Sequence, residues 1–562
     1  MPIRLWDWRR VVRLVWLALA LAVAVSAVLV VPAWVRMLLP YNFNRRLTEG
    51  LLLGIEILFG VAFAAASIGT VSFGILLALA RRGRKRCPTL AGGLLFCCAC
   101  FIALGIAEVV AKVWDAPPRS VPAPAARDPE LPREFAENGD GEATLVVLGE
   151  SSAAGVPFEQ RLSVGKIVAW QLGEVIPGRR FRASVLALPG DTLEGQYRQL
   201  SKLRRRPDVV IVYCGHNEFF IRVPFSRRVE HYLDHQPNFF ERAGQLAHRI
   251  SALYALIENA NDKLRIEQPP TLDPRLVDVP IFTPAEFANS LVDFRRRLDA
   301  IASFCERVGA LLILVVPPGN DADFEPIRSY LPVTTSPAER EAFARDFLAV
   351  RELESSEPRR ALSAYQTLLT RQPGFAEAHY RLARLLEETG EWDKAYEHYV
   401  AARDLDGMPV RCLTVFQQAY REVATQHQCA LVDGQGLFHA IGPHGLLNDT
   451  LFNDMMHPSL RGHIALATAI LDALRKRGVL GWSPSVPTPT IDAARCAAHF
   501  GLSSADWAKV CRTSNEMYGI AALLRYDNRQ CHARERAYEQ AKRRIAAGEP
   551  PESVGLPNLG VR

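Results

Sequence analysis

Four short stretches carry residues that could do chemistry together: "GESSAAG" at 149–155, "PGDT" at 189–192, "CGHNE" at 214–218 and "DMMHP" at 454–458. A serine hydroxyl is a poor nucleophile unless an imidazole accepts its proton, and that imidazole needs a carboxylate to fix its tautomer and steady its cationic form. Ser151, His457 and Asp454 supply those three groups, the last two in a D-x-x-H-P pattern. When an acyl carbon becomes tetrahedral, its oxygen gains charge and needs donors already aimed at it. The backbone N–H groups of Ser151 and Gly190 and the amide of Asn217 suit that role, and losing one such donor costs about 3 kcal/mol. A side chain at position 190 is expected to keep the oxyanion from the backbone. Ser152 is the alternative nucleophile, and His216 and His463 read as neighbours that shape the pocket.

These residues need elements to hold them. Apolar runs at 144–148, 183–188, 209–213, 311–316 and 430–432 read as strands, and helical spacing of apolar residues covers 162–175, 193–203 and 284–308. Alternating strands and helices predict a parallel sheet covered on both faces, and each of the first three stretches follows a predicted strand. Open sheets of this kind place their chemistry at the carboxyl ends of strands. The α/β-hydrolase elbow, G-x-S-x-G, is absent, because Ala153 stands two residues after Ser151.

The four stretches, in this order and at strand ends, resemble the SGNH, or GDSL, hydrolase superfamily, whose blocks contribute a serine, a glycine, an asparagine and a histidine. Matched position by position, Ser151 corresponds to the nucleophile, with Gly155 four residues on. Gly190 and Asn217 correspond to the oxyanion-hole residues, and His457 and Asp454 to the base and its orienting acid. Glu150 departs from the family's more usual aspartate at a position outside the triad. The resemblance covers about residues 143–335 and 410–475. It implies a three-layer α/β/α flavodoxin-like sandwich and a serine esterase or acyl-ester hydrolase that needs no metal or organic cofactor.

Further modules surround that domain. Ala361, Tyr365 and Pro373 recur 34 positions on as Ala395, Tyr399 and Gly407. This spacing resembles tetratricopeptide repeats, and predicts two helix hairpins over 342–409 that split the hydrolase domain into 142–335 and 410–480. Two repeats are too few to bury a core alone, so they are expected to dock on the catalytic domain; such hairpins also offer a surface for a protein partner. Prolines across 115–141 predict a semi-extended tether, and 481–562 reads as an amphipathic helical tail containing Trp507 and Tyr518. The segment from Phe219 to about Pro280 is long for a loop and carries an amphipathic helix; its His231 and His235 lack a nearby third ligand, so they read as no metal site.

Residues 1–114 read as a membrane domain, with apolar runs at about 11–31, 51–80 and 90–111 each long enough to cross a bilayer. Arg9, Arg10 and Arg13 precede the first run, and five basic residues fall within 81–86 between the second and third. The positive-inside rule then predicts a cytoplasmic N-terminus and an extracytoplasmic catalytic domain, periplasmic in a bacterium. The net charge of +6 sits largely in those flanks and argues nothing for nucleic acid. In that compartment disulfides among Cys496, Cys511 and Cys531 are allowed, though the sequence does not pair them. The resulting expectation is a multi-pass membrane-anchored esterase acting on an acylated lipid or glycan. The rival chemistry is an O-acyltransferase or deacetylase on an envelope glycan; the rival of another class is an inactive scaffold that binds partners through its repeats.

Overall fold

Among the described residues, five short strands form one sheet, and all of them run parallel, in the order β2-β1-β3-β4-β5. They are β1 (Glu142–Gly149), β2 (Arg180–Val185), β3 (Val209–Tyr213), β4 (Leu311–Val316) and β5 (Ala430–Asp433). The central strands read as unbroken apolar runs because both faces are covered: every residue of VVIVY in β3 is buried, as are five of the six in β4. The two edges are β2, half exposed along its length, and β5, only four residues long. Short, partly polar edges discourage pairing with another chain.

In this computed structural model the described residues are 131–561, apart from 133–134, 137–138, 140, 159–160, 220–279, 333, 484 and 526. All of them fall in one compact unit, Arg127–Asp234 with Glu267–Arg562. The spans read at 11–31, 51–80 and 90–111, the helix expected within 219–280, and His231 and His235 lie outside the described residues. Among the described residues, no helix is long and apolar enough to cross a membrane.

Helices cover both faces of the sheet. After β1 comes α1 (Ser151–Ala154), then α2 (Val164–Val175), α3 (Leu193–Leu200) and α4 (Pro284–Val308). α5 (Pro337–Leu353), α6 (Pro358–Arg371), α7 (Ala376–Glu388) and α8 (Trp392–Asp404) form the inserted hairpins, followed by α9 (Thr414–Gln426), α10 (Gly434–Ile441) and α11 (Leu460–Lys476). α2 and α11 pack on one face; α3, α4 and α9 pack on the other, giving three layers. α4 begins where a capping box can form, with the Thr283 hydroxyl accepting from Glu286 N–H and Pro284 at the first helical position, and ends at Gly309 with φ +68°.

The chain closes with α12 (Ala493–His499), α13 (Ser504–Leu524) and α14 (Arg529–Ala546). This tail is no free surface: Trp507, Tyr518, Tyr538, Ile545 and Leu559 are buried in the same core as the sheet. Cys496, Cys511 and Cys531 are buried free thiols in it, so the disulfides considered among them do not form. The end of the expected tether is also packed rather than extended. Phe135 meets the ring of Phe304 edge-on, and Ala136 N–H donates to Arg204 O at 2.9 Å. Its apolar side chains find the rim of the sheet domain, which proline content alone does not foretell.

The hairpins bury a core of their own around Phe347, Tyr365, Leu382 and Tyr399. They are fixed to the sheet domain by charge as well. Glu377 on α7 meets Arg525 of the tail at 3.1 Å, and Arg525 also meets Glu325 at 3.0 Å. Arg403 on α8 reaches Asp321 at 3.0 Å, and the Tyr380 hydroxyl donates to Ala322 O at 2.9 Å. The polar faces of α7 and α8 thus hold the chain's own 321–325 loop and tail.

Candidate active site

The strand β1 ends at Gly149 and the chain turns at once into α1. A Cβ at Gly149 would lie 2.1 Å from Tyr213 O, so the turn demands glycine for space. Gly155 ends α1 with φ +95°, and a Cβ there would lie 1.9 Å from Leu162 O. The two glycines wrap the backbone tightly enough to set Ser151 on the first residue of the helix.

The Ser151 hydroxyl donates to His457 Nε2 at 2.7 Å, and His457 Nδ1–H donates to Asp454 Oδ2 at 2.7 Å. Serine and histidine are 306 positions apart in the chain. Asp454 is held in turn: its Oδ1 accepts from the backbone N–H of Met456 and of His457, each at 3.0 Å. Burial raises the Asp454 carboxyl, but the imidazole and these backbone donors outweigh it and hold the group below the usual carboxylate range. It therefore stays ionised and orients the ring so that Nε2 faces the serine as an acceptor. The Ser152 hydroxyl, the alternative nucleophile, is engaged elsewhere: it donates to Met456 O at 3.0 Å and ties the serine turn to the histidine loop.

The second and third stretches are knitted to the first. Gly149 N–H donates to Gln196 Oε1 at 3.0 Å, and Gln196 Nε2 donates to Asp191 Oδ2 at 2.6 Å. One amide hydrogen of Asn217 goes to Asp191 O at 3.2 Å, leaving the other for a ligand. Leu193 N–H donates to Glu218 Oε1 at 2.9 Å. Among the described residues, none accepts from the backbone N–H of Ser151 or of Gly190.

A Cβ at Gly190 would meet no atom of the protein within 4 Å, so the space beside its N–H is open. Its φ of +78° is a left-handed conformation that other residues adopt at a cost, a second reason for glycine there.

The roles of three residues of the site are not legible in the sequence. Glu150 is fully buried, and its Oε1 accepts from the N–H groups of both Gly215 and His216 at 2.5 Å, fixing the loop that carries Asn217. Burial pushes its carboxyl up to about 8, the backbone donors opposing and the nearby Glu218 adding to the rise. Asn320, after β4, donates from Nδ2 to Asp454 O at 3.0 Å and to Asp449 Oδ1 at 2.8 Å. Gln196 joins the first two stretches as described above. Each sits beside a glycine, at a turn or on a short helix, and nothing in its sequence neighbours says which distant group it meets.

His216 and His463 are both buried. Burial first, and the neighbouring His457 next, push each down to about 3, which leaves both rings neutral and weakly basic. Cys412 N–H donates to His216 Nδ1 at 3.1 Å. Among the described residues, no group of three or more His, Cys, Asp or Glu side chains is placed to hold a metal ion.

Residues 352–406 match the tetratricopeptide repeat family. No curated protein matches the chain. Among solved structures it is similar to an alpha/beta hydrolase enzyme from the metagenome of Lake Arreo, Spain (16% identity, 59% of this chain and 94% of that one, TM-score 0.26). It is likewise similar to the lipase/acylhydrolase from Enterococcus faecalis (13% identity, 60% and 96%, TM-score 0.26). A third is an acetyl xylan esterase from Geobacillus stearothermophilus (12% identity, 59% and 94%, TM-score 0.27). At these scores the likeness is distant, and the chemistry rests on the chain's own residues.

Proposed function

We propose that the protein is a membrane-anchored serine ester hydrolase whose catalytic domain lies on the extracytoplasmic side. The observation that carries the reading is the unbroken relay from Ser151 through His457 to Asp454, two hydrogen bonds of 2.7 Å each among buried side chains. In the forward step Ser151 Oγ attacks the ester carbonyl carbon while His457 Nε2 takes its proton. The carbonyl oxygen gains the charge and is met by the N–H groups of Ser151 and Gly190 and the free amide hydrogen of Asn217. Collapse breaks the bond to the alcohol, which leaves with the proton from His457, and the acyl group stays on Ser151. Water, deprotonated by His457, then releases the carboxylic acid and restores the serine.

Anchoring rests on the apolar runs at 11–31, 51–80 and 90–111 and on the basic residues that flank them. The relay and the two unengaged backbone donors favour an enzyme over an inactive scaffold, which has no use for them. Hydrolysis of p-nitrophenyl acetate by the full-length protein in detergent tests the reading. Wild type is expected to turn over, while Ser151→Ala and His457→Ala fall by about 10⁴-fold or more. A folded wild type with no turnover above buffer refutes it.

A further inference from the structure

The loop that presents Asp454 and His457 is closed on itself by its neighbour Asn453. Asn453 N–H donates to His457 O at 2.8 Å, and its Nδ2 donates to Pro458 O at 2.8 Å. Asn453 is itself gripped by the C-terminal tail. The Tyr538 hydroxyl donates to Asn453 O at 2.8 Å, and Asn558 Nδ2 donates to Asn453 Oδ1 at 2.9 Å and to the Tyr538 oxygen at 3.0 Å. Asn453 and Tyr538 are wholly buried and Asn558 nearly so. A second strut runs beside the first: Arg534 pairs with Asp449 and, at 3.3 Å, with Asp323. Asp449 accepts from Asn320, whose amide also donates to Asp454 O.

Plain packing of the tail does not require this pattern. Tyr518 stacks on Tyr538 with ring centroids 5.8 Å apart, and its hydroxyl is buried without a partner among the described residues, whereas the Tyr538 hydroxyl reaches the loop. Of these two stacked tyrosines of the tail, Tyr538 alone puts its hydroxyl on the histidine loop, where Asn558 also donates to it.

We propose that Tyr538 and Asn558 are positioning residues of the hydrolase site, which hold His457 in register with Ser151 by fixing Asn453. The tail is then part of the catalytic apparatus, and the inserted hairpins, which grip it through Glu377 and Arg525, help to seat it. This rests on the hydrolase reading.

The test compares full-length Tyr538→Phe with Tyr518→Phe, each losing one hydroxyl from the same stack. Tyr538→Phe is expected to lower kcat for p-nitrophenyl acetate by about ten- to a hundredfold with KM changed less than about twofold, since a misplaced base costs chemistry and not binding. Tyr518→Phe is expected to match wild type, and Asn558→Ala to follow Tyr538→Phe. Hydrogen–deuterium exchange of the peptide spanning 450–460, read by mass spectrometry, is expected to quicken in Tyr538→Phe and Asn558→Ala but not in Tyr518→Phe. Equal kcat in the two tyrosine variants, with equal exchange, overturns the proposal. If wild type itself is inactive, the hydrolase reading falls, and the exchange comparison decides whether the tail holds the loop.

Discussion

Replacing Glu150 by glutamine isolates the electrostatic cost of the residue that fixes the Asn217 loop. The side chain is fully buried, its Oε1 accepts two backbone N–H groups, and its Oε2 has no partner among the described residues. A carboxyl that holds its proton up to about 8 when folded, against 4.5 ordinarily, binds more protons folded than unfolded between those values. Its contribution to stability is therefore whole below 4.5 and is lost as pH rises through 8. The loss runs at about 1.4 kcal/mol per pH unit, on the order of 5 kcal/mol across the window. Glutamine keeps the accepting oxygen and cannot ionise. Glu150→Gln should therefore unfold at a denaturant midpoint that gains on wild type as pH rises, with turnover within about threefold at neutral pH. Unfolding in urea at about pH 5 and about pH 8.5, with m-values checked for constancy, measures the difference. Parallel pH dependences in the two proteins would refute the reasoning.

Other outcomes follow from the same geometry. Glu150→Ala leaves two buried N–H groups without an acceptor and should cost about 2–6 kcal/mol in unfolding free energy, seen in the same urea titration. Asn217→Ala should lower kcat about 10²- to 10³-fold with KM little changed, by steady-state ester hydrolysis. Gly155→Ala meets a carbonyl at 1.9 Å and should fail to give folded protein, whereas Gly190→Ala meets nothing and should cost only about 1–2 kcal/mol for its positive φ, by thermal unfolding. Ser152→Ala loses one hydrogen bond, to Met456 O, and should destabilise by about 1 kcal/mol while Ser151 still reacts.

Local patterns carried far in this sequence. The strands at 209–213 and 311–316 and the helix at 284–308 stand where apolar runs and apolar periodicity put them. Their contacts with the chain were local or apolar, and such signals survive in sequence. What escaped reading is polar and long-range. Glu150 meets Gly215 and His216 across 65 and 66 positions, and Asn320 meets Asp454 across 134. A buried carboxylate and an amide look alike in sequence whether they cap a turn or tie two loops. The tail was illegible for a related reason. Its amphipathic spacing announced a buried face, but only the fold reveals that Tyr538 sits over Asn453. At Gly190 the backbone angle of +78° adds a reason for glycine that the sequence does not carry.

The central claim is that Ser151 is a nucleophile made reactive by His457. The most direct measurement treats the full-length protein with a fluorophosphonate and maps the adduct by peptide mass spectrometry. Wild type and Ser152→Ala are each expected to carry a single adduct on Ser151, Ser151→Ala none, and His457→Ala to label about 10³-fold or more slowly. An adduct on Ser152, or a folded wild type that takes up no label, would contradict it.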